Sequence, residues 1–548
     1  MFRIGIDFDN TIACYDQAFV EVAALLGIHS VQKCSTKFEV KHQIQSLTDG
    51  DTEWQRLQGQ VYGKHMLRAK AFAGVHEFVY LANMRGHEVF VVSHKSEFGH
   101  FDLERVPLRD QALRWLEENS FFDDSRCYLK KKNVFFESTR QDKIHRIQEL
   151  ACTHFIDDLI EVFEEPEFPA GMNKVLFSPS GSNHVAGSTA AESWRDVTAR
   201  ILGPWSEAEV GQALQHLFPD LGISRASIQP GRGNSRIYKL SGSDSKDYLL
   251  KVYPDLQIDK RPRLHTEFSA CQKLTELRYP VNQAIACNEH LGWGIYEWLE
   301  GLPIGDADVS FVDDAIDLSS RLQSDSHKSL AFSEFPLASE ACLSGSDITK
   351  QIYARIHKLT AVVNPDLVAF IKDDFRSVLE VAVFRAKSLC GDLFDTPLAR
   401  SFQMASPSDF GSHNALRLTC GTSMFYDFEY FGWDDPVKLV SDFHWHPGMY
   451  LGNELRKKWL VAAEFNFQND PYFSVRLNSY LPLYGLRWCL IILNEFLKSE
   501  MARRLNANPG KNISNPDSCS LQLHKAKALL QEIKEKIHYG STVQTTQA

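Results

Sequence analysis

The sequence has no CxxC pair, although 11 cysteines are scattered from Cys14 onward. An odd, unpatterned set excludes a disulfide framework and reads as reduced thiols filling the core of a cytosolic protein. An excess of positive charge is also missing. The 59 Lys and Arg stand against 70 Asp and Glu, and a net charge of −11 is the wrong sign for binding nucleic acid or an anionic membrane surface. Long hydrophobic runs are absent too: the longest, Tyr480 to Leu497, contains Arg487 and Asn494 and fits a buried helix rather than a membrane span. Asp7 interrupts the N-terminus where an export signal would keep its apolar run, so the expected location is the cytoplasm. What remains is ordinary. With 548 residues, 44% hydrophobic and 24% charged, the chain exceeds one core and predicts two or three domains without large disorder.

Short apolar runs end at Asp7, Ser93, Phe136 and Asp157, three of them in a polar residue, and segments of helical spacing lie between them. That alternation predicts a parallel α/β sheet, with the polar residues at the carboxyl ends of its strands where such sheets place ligands. Residues 13–70 break the alternation with polar, mostly helical sequence and read as an inserted cap. A first domain is expected over 1–203. From about Trp205 the pattern changes to a strand, a glycine turn and two further strands, then mainly helices. This predicts a second domain over 206–540, with a polar, frayed tail at 541–548. No internal repeat links the halves.

The first chemical constellation is Asp7-Phe-Asp9-Asn-Thr11. Alternation sends Asp7 and Asp9 to one side of an extended chain, and two carboxylates so close repel unless a cation or proton is shared. The motif suits a metal ion with one nucleophile and one acid. Ser93, Lys143 and Asp157-Asp158 follow in order, each at a strand end or just beyond one. Over residues 1–203 the chain resembles the haloacid dehalogenase superfamily of phosphatases, which implies a Rossmann-like α/β domain with a helical cap. The resemblance implies Asp7 as the nucleophile that becomes an aspartyl phosphate and Asp9 as the acid and base. Thr11, Ser93 and Lys143 would hold phosphoryl oxygens. Mg²⁺ would be held by Asp7, Asp9, Asp157 and Asp158. Candidate cap contacts are Lys37, Lys41, His42, Lys64 and His65, although a solvated helix face is the simpler reading of each.

The second constellation begins at Gly231-Arg-Gly233-Asn234, a glycine-rich turn of the kind that lets backbone N–H groups approach phosphates. Lys251 lies in a following strand and Glu267 in the next helix. Downstream come Asp409, Asn414 and Phe425-Tyr-Asp427-Phe-Glu429. A strand lysine with a helix glutamate, then an Asp, an Asn and an Asp-x-Glu strand end, is a kinase arrangement. Over about 206–540 the chain resembles the aminoglycoside phosphotransferase and choline kinase family, with Tyr296-Glu297-Trp-Leu-Glu-Gly301 like its interlobe hinge. The resemblance implies a bilobal, protein-kinase-like α+β fold using ATP. Gly231, Gly233, Asn234, Lys251, Glu267 and Glu297 would lie at the nucleotide. Asp409 would be the base facing the substrate hydroxyl, and Asn414, Asp427 and Glu429 would bind Mg²⁺. One departure stands out: Pro407-Ser408 replaces the family's His-Gly before the aspartate. His444-Trp-His446 reads as packing, and Asn512-Ile-Ser514 as a chance glycosylation match.

Together these features predict a bifunctional enzyme acting on a small-molecule phosphate ester and a hydroxyl acceptor, with no membrane and no nucleic-acid partner. Opposed activities on one atom would cycle futilely, which predicts different positions on one metabolite or consecutive intermediates; by analogy with such domain pairings, the expected product is a sugar or polyol phosphate for surface polysaccharide precursors. The alternatives are a phosphatase regulated by a nucleotide-binding pseudokinase and a nucleic-acid end-processing kinase-phosphatase.

Overall fold

The computed structural model describes all residues except 124–128, 180, 182–187, 231–234, 244–245, 255, 257–258, 329, 498–515 and 545–548. The chain forms two compact units, one built on Met1–Ala226 and the other on the residues from Ser227 onward. Among the described residues, no helix is long and apolar enough to cross a membrane.

In the first unit six short strands lie in the order Val134–Glu137, Glu88–His94, Arg3–Ile6, His154–Asp157, Asn173–Phe177, Ser188–Ala191, and every neighbouring pair is parallel. Their apolar runs are continuous because both faces are covered; Ile4, Ile6, Val91 and Ile156 are all fully buried. Arg3–Ile6 is central, and the chain leaves it towards one side first and the other later. That change of direction opens a crevice at the carboxyl ends of the strands. The insertion is closed at its base by an antiparallel pair, Ala13–Cys14 with Lys70–Ala71. Between them run helices Asp16–Leu25, Lys37–Gln45 and Gly50–Tyr62. The second of these starts at a capping box, Thr36 with Glu39.

A latch closes the far end of this unit. Arg85, just past helix Val75–Met84, donates to Glu209 at 2.7 and 2.9 Å, to the Pro204 carbonyl at 2.8 Å, and to the Leu202 carbonyl. Trp205 Nε1 donates to Glu77 at 2.7 Å. Hydrogen bonds from Arg85, helped by the backbone N–H of Ser206 and against a small burial penalty, hold the Glu209 carboxyl down at about 2. Helix Glu207–Leu217 therefore packs with the first unit.

In the second unit strands Arg236–Gly242, Asp247–Val252, Trp293–Glu297 and Ala284–Asn288 pair antiparallel in that order, with Ile223–Gln229 as the fifth strand of the sheet. Helix Arg263–Glu276 follows strand Asp247–Val252 in sequence. Beyond Val309 the chain is mainly helical, broken by small two- and three-stranded sheets at Met404–Ser406 with Gly432–Asp434 and at Gly301–Pro303, Ala415–Leu418 and Ser423–Phe425. The apolar stretch at Tyr480 lies in helix Phe473–Ile492, buried along most of its length. The last helix, Pro516–Gln544, extends into the segment expected to fray, and 545–548 lie outside the described residues.

Candidate active sites

Asp7 follows the central strand directly, its N–H donating to the Ile156 carbonyl at 2.9 Å. Asp157 ends the neighbouring strand. Lys143 reaches both because Thr139 caps its helix, accepting from Asp142 N at 3.0 Å, which places Lys143 in the first turn and facing the sheet. Its Nζ donates to Asp7 Oδ1 and Asp157 Oδ2, each at 2.6 Å, with all three side chains nearly inaccessible. One oxygen each of Asp7, Asp157 and Asp158 lies within 4.8 Å of the others. Burial pushes the Asp7 carboxyl up to about 7 against the pull of Lys143, and Asp157 and Asp9 push the same way. Burial and then Asp7 raise Asp158 well above the carboxylate range. The two aspartates outweigh burial at Lys143 and hold it above the usual lysine value. One ammonium among three carboxylates leaves a formal excess of two negative charges. An all-oxygen donor set with that excess fits Mg²⁺, which would be held by Asp7, Asp157 and Asp158.

Asp9 stands apart from this trio. Its carboxylate takes Lys95 Nζ at 2.8 and 2.9 Å and the Tyr15 hydroxyl at 2.5 Å. Ser93 is the buried next-to-last residue of its strand, and the Thr11 hydroxyl is buried with no protein partner among the described residues. Sequence reasoning missed Lys95, although alternation from Ser93 places it two residues on and on the same side of an extended chain. Of the candidate cap contacts, Lys37 reaches the crevice: its Nζ donates to Asn10 Oδ1 at 3.2 Å and lies 5.6 Å above the Tyr62 ring. Lys41 and His42 are exposed, Lys64 pairs with Glu104 on the surface, and His65 is half-buried. Of the five candidate cap residues, Lys37 is the one placed beside Asn10.

In the second unit Lys251 lies in strand Asp247–Val252 and donates to Glu267 Oε2 at 2.6 Å and to Asp427, with Glu429 at 3.5 Å. Asp427 and Glu267 overcome burial and hold Lys251 above the usual lysine value. Burial raises Glu267 against Lys251. Tyr253 donates to Glu267 at 2.6 Å, and Arg263 pairs with both Glu429 and Asp259. Oxygens of Glu267, Asp427 and Glu429 lie within 4.8 Å of one another and could hold a divalent cation. Asn414 sits beside this group, since Tyr426 N–H donates to its carbonyl at 3.0 Å, while its amide donates to the Asp409 carbonyl at 3.1 Å. Glu297 ends its strand exposed, accepting from Gln283 N at 3.4 Å. Gly231, Gly233 and Asn234 lie outside the described residues, as do Asn512, Ile513 and Ser514.

Side-chain hydrogen bonds hold the loop before Asp409. Ser408 is buried with φ +68°, a left-handed conformation that a side chain disfavours. Its Oγ accepts from buried Lys438 at 2.7 Å and its N–H donates to Ser406 Oγ at 3.1 Å. Asp427 is also left-handed, at φ +71°. Two such residues flanking one cluster are the kind of strain that functional sites retain. His446, read as packing from the sequence, lies beside Asp409 together with His413. Burial opposes the Asp409 charge, but hydrogen bonding to His413 and then His446 outweighs it and holds the carboxyl well below its usual range.

No family model and no curated protein matches this sequence. Among solved structures the chain is similar to a choline/ethanolamine kinase family protein from Mesorhizobium loti, at 16% identity over 60% of this chain and 98% of that one, with a TM-score of 0.39. It is similar to an ethanolamine kinase from Plasmodium vivax at 13% identity, covering 60% and 89% with a TM-score of 0.41. It is also similar to a choline kinase from Streptococcus pneumoniae at 14%, covering 59% and 98% with a TM-score of 0.39. At these identities and scores, the assignment of function rests on the side chains.

Proposed function

We propose that the protein is a bifunctional phosphoryl-transfer enzyme, a phosphomonoesterase in its first unit and an ATP-dependent kinase of a small-molecule hydroxyl in its second. The observation that carries this reading is the recurrence of one buried lysine among three carboxylates in each unit, Lys143 in one and Lys251 in the other.

In the first unit Asp7 attacks the phosphorus of the ester, the bond to the leaving oxygen breaks, and Asp9 supplies that oxygen with a proton. Asp9 then takes a proton from the water that attacks the aspartyl phosphate, which returns Asp7 and releases phosphate. Lys143, Ser93 and Thr11 orient the phosphoryl oxygens. Lys95 and Tyr15 fix the direction of the Asp9 carboxylate. Mg²⁺, when bound by Asp7, Asp157 and Asp158, supplies charge compensation for the phosphoryl group.

In the second unit Lys251, held by Glu267, contacts the ATP phosphates. Asp409 takes the proton of the acceptor hydroxyl as its oxygen bonds to the γ-phosphorus and ADP leaves. Asp427, with Asn414 and Glu429 beside it, would hold the Mg²⁺ that accompanies ATP. Arg263 and Lys251 both hold Glu429, so the metal contact falls chiefly to Asp427. A sugar or polyol phosphate, made for nucleotide activation in surface polysaccharide synthesis, is the substrate class in which both activities serve one route.

The test is phosphate release from a panel of sugar and polyol phosphates, together with ADP formation from ATP over sugars, polyols and choline. Wild type would be compared with Asp7→Asn and Asp409→Asn. Loss of only the matching activity in each variant supports the reading. Phosphate release without any Asp409-dependent ADP would leave a phosphatase carrying a nucleotide-sensing domain.

A further inference from the structure

His413 and His446 converge on a single oxygen of Asp409. His413 Nε2 lies 3.1 Å from Oδ1 and His446 Nε2 lies 3.5 Å from it. The two rings stack with centroids 3.9 Å apart and planes at 5°. The tautomer of His446 is set from its far side: Gly448 N–H donates to Nδ1 at 3.0 Å, so in the neutral ring the proton sits on Nε2 and faces Asp409. That tautomer also argues against a metal ion here, although ligand atoms of the three residues lie within 4.8 Å of one another. A ligating Nε2 would need its proton moved to Nδ1, where it would meet an N–H donor. The rings are themselves held. Trp488 packs edge-on against His446 at 4.6 Å and donates to Asp442 at 2.8 Å, and the Tyr426 hydroxyl donates to the His413 carbonyl at 3.0 Å. Oδ2 of Asp409 has no protein hydrogen-bond partner among the described residues, and the side chain is 36% exposed.

We propose that His413 and His446 are positioning residues: they fix Oδ1 of Asp409 so that Oδ2 faces the acceptor hydroxyl. This rests on the kinase reading of the second unit. In the transfer step the hydroxyl oxygen bonds to the γ-phosphorus of ATP, the bond from that phosphorus to the bridging oxygen of ADP breaks, and the hydroxyl proton passes to Oδ2. Without the imidazole pair the carboxylate turns about its Cβ–Cγ bond, and the productive orientation becomes one of several. The loss falls on the acceptor side of the reaction. The ATP side, built on Lys251, Glu267 and Asp427, is untouched. The pair also answers for Pro407-Ser408, since the brace that a histidine before the aspartate would give comes instead from the end of helix Pro436–Trp445.

The experiment is steady-state ADP formation by the full-length protein with Mg-ATP and, as acceptors, choline, ribitol and glycerol. Glutamine carries an amide N–H near the place of Nε2, and asparagine carries one near Nδ1. His446→Leu and His413→Leu are expected to lower kcat roughly 10- to 100-fold with the KM for ATP unchanged. His446→Gln should recover most of the rate, and His446→Asn should not. A structural role alone would shift the KM for ATP and the thermal midpoint and would not separate Gln from Asn. Wild-type kcat in the leucine variants, or equal rates in His446→Gln and His446→Asn, would overturn the proposal. Should the leucine variants fail to fold, the Gln and Asn pair decides it. Absence of Asp409-dependent ADP with all three acceptors in the wild type removes the kinase reading itself, a different result.

Discussion

The two units set one buried lysine among carboxylates and balance the charge differently. Around Lys143 the acids are Asp7, Asp157 and Asp158, and two negative charges remain over. Around Lys251 the acids are Glu267, Asp427 and Glu429, but Glu429 is also paired with Arg263, which leaves a smaller excess. The first cluster is thus costly to charge without a divalent cation, and Asp7 shows it in its raised carboxyl. The second is closer to neutral, although burial raises Glu267 there too, and left-handed residues stand at both sites, Asn10 beside Asp9 and Asp427 beside Lys251. A phosphatase nucleophile and a nucleotide clamp would be expected to differ in this way. In the proposed function the first would become strongly nucleophilic only when cation and substrate arrive, and the second would hold a fixed geometry throughout.

The sharpest break of the comparison is chemical. Asp7→Asn should lower phosphate release by about 10³-fold or more and leave ADP formation alone, and Asp409→Asn should do the reverse. Loss of both activities in either variant would mean the two sites are not independent. Next comes stability. Lys143→Met leaves three carboxylates in the buried cluster without their ammonium and should cost about 3–5 kcal/mol by urea unfolding. Lys251→Met should cost less, because Arg263 still neutralises Glu429. Equal losses would erase the difference drawn here.

A third prediction concerns pH. The Asp7 carboxyl is raised from 3.8 to about 7, so the folded state favours its protonated form. That contribution is fully present below about pH 4 and is lost as the pH rises through about 7. Asparagine cannot ionise. In the absence of Mg²⁺, the thermal midpoint of wild type should therefore fall relative to Asp7→Asn between about pH 4 and 7. Added Mg²⁺ should raise the wild-type midpoint at pH 7 by more than it raises that of Asp7→Asn. A pH-independent difference between the two proteins would refute the assignment. The smallest effect is expected at Ser408. Replacement by alanine keeps the left-handed strain and loses the Lys438 hydrogen bond, costing about 1–2 kcal/mol, whereas glycine relieves the strain and should come out near wild type.

Much of both sites was legible because strand ends are legible. Asp7, Asp157, Lys251 and Asp427 each close or follow a short apolar run, and the alternation of runs and helices brings such ends to one edge of a sheet. Lys143 and Glu267 were legible one step further, as residues of the helix that follows. Lys95 went unread because the strand was taken to stop at Ser93, two residues too early for its side chain to be counted. The histidines at 413 and 446 had no local signal. Neither lies at a periodic position, and only the packing of the loop after Gly411 against the end of helix Pro436–Trp445 makes them neighbours. Glu297 shows the opposite failure: its motif was recognisable, and the side chain is exposed at the strand end.

Arg85 bears on a practical matter, where the chain can be divided. A protein ending at residue 203 would keep the arginine and discard Pro204, Trp205 and Glu209, leaving a guanidinium without its carboxylate and Glu77 without the indole that donates to it. Extending the fragment through Leu217 returns every one of those partners to the same piece. Anyone wishing to study the first unit in isolation, or to graft it onto another protein, would therefore place the cut after that helix and not before it.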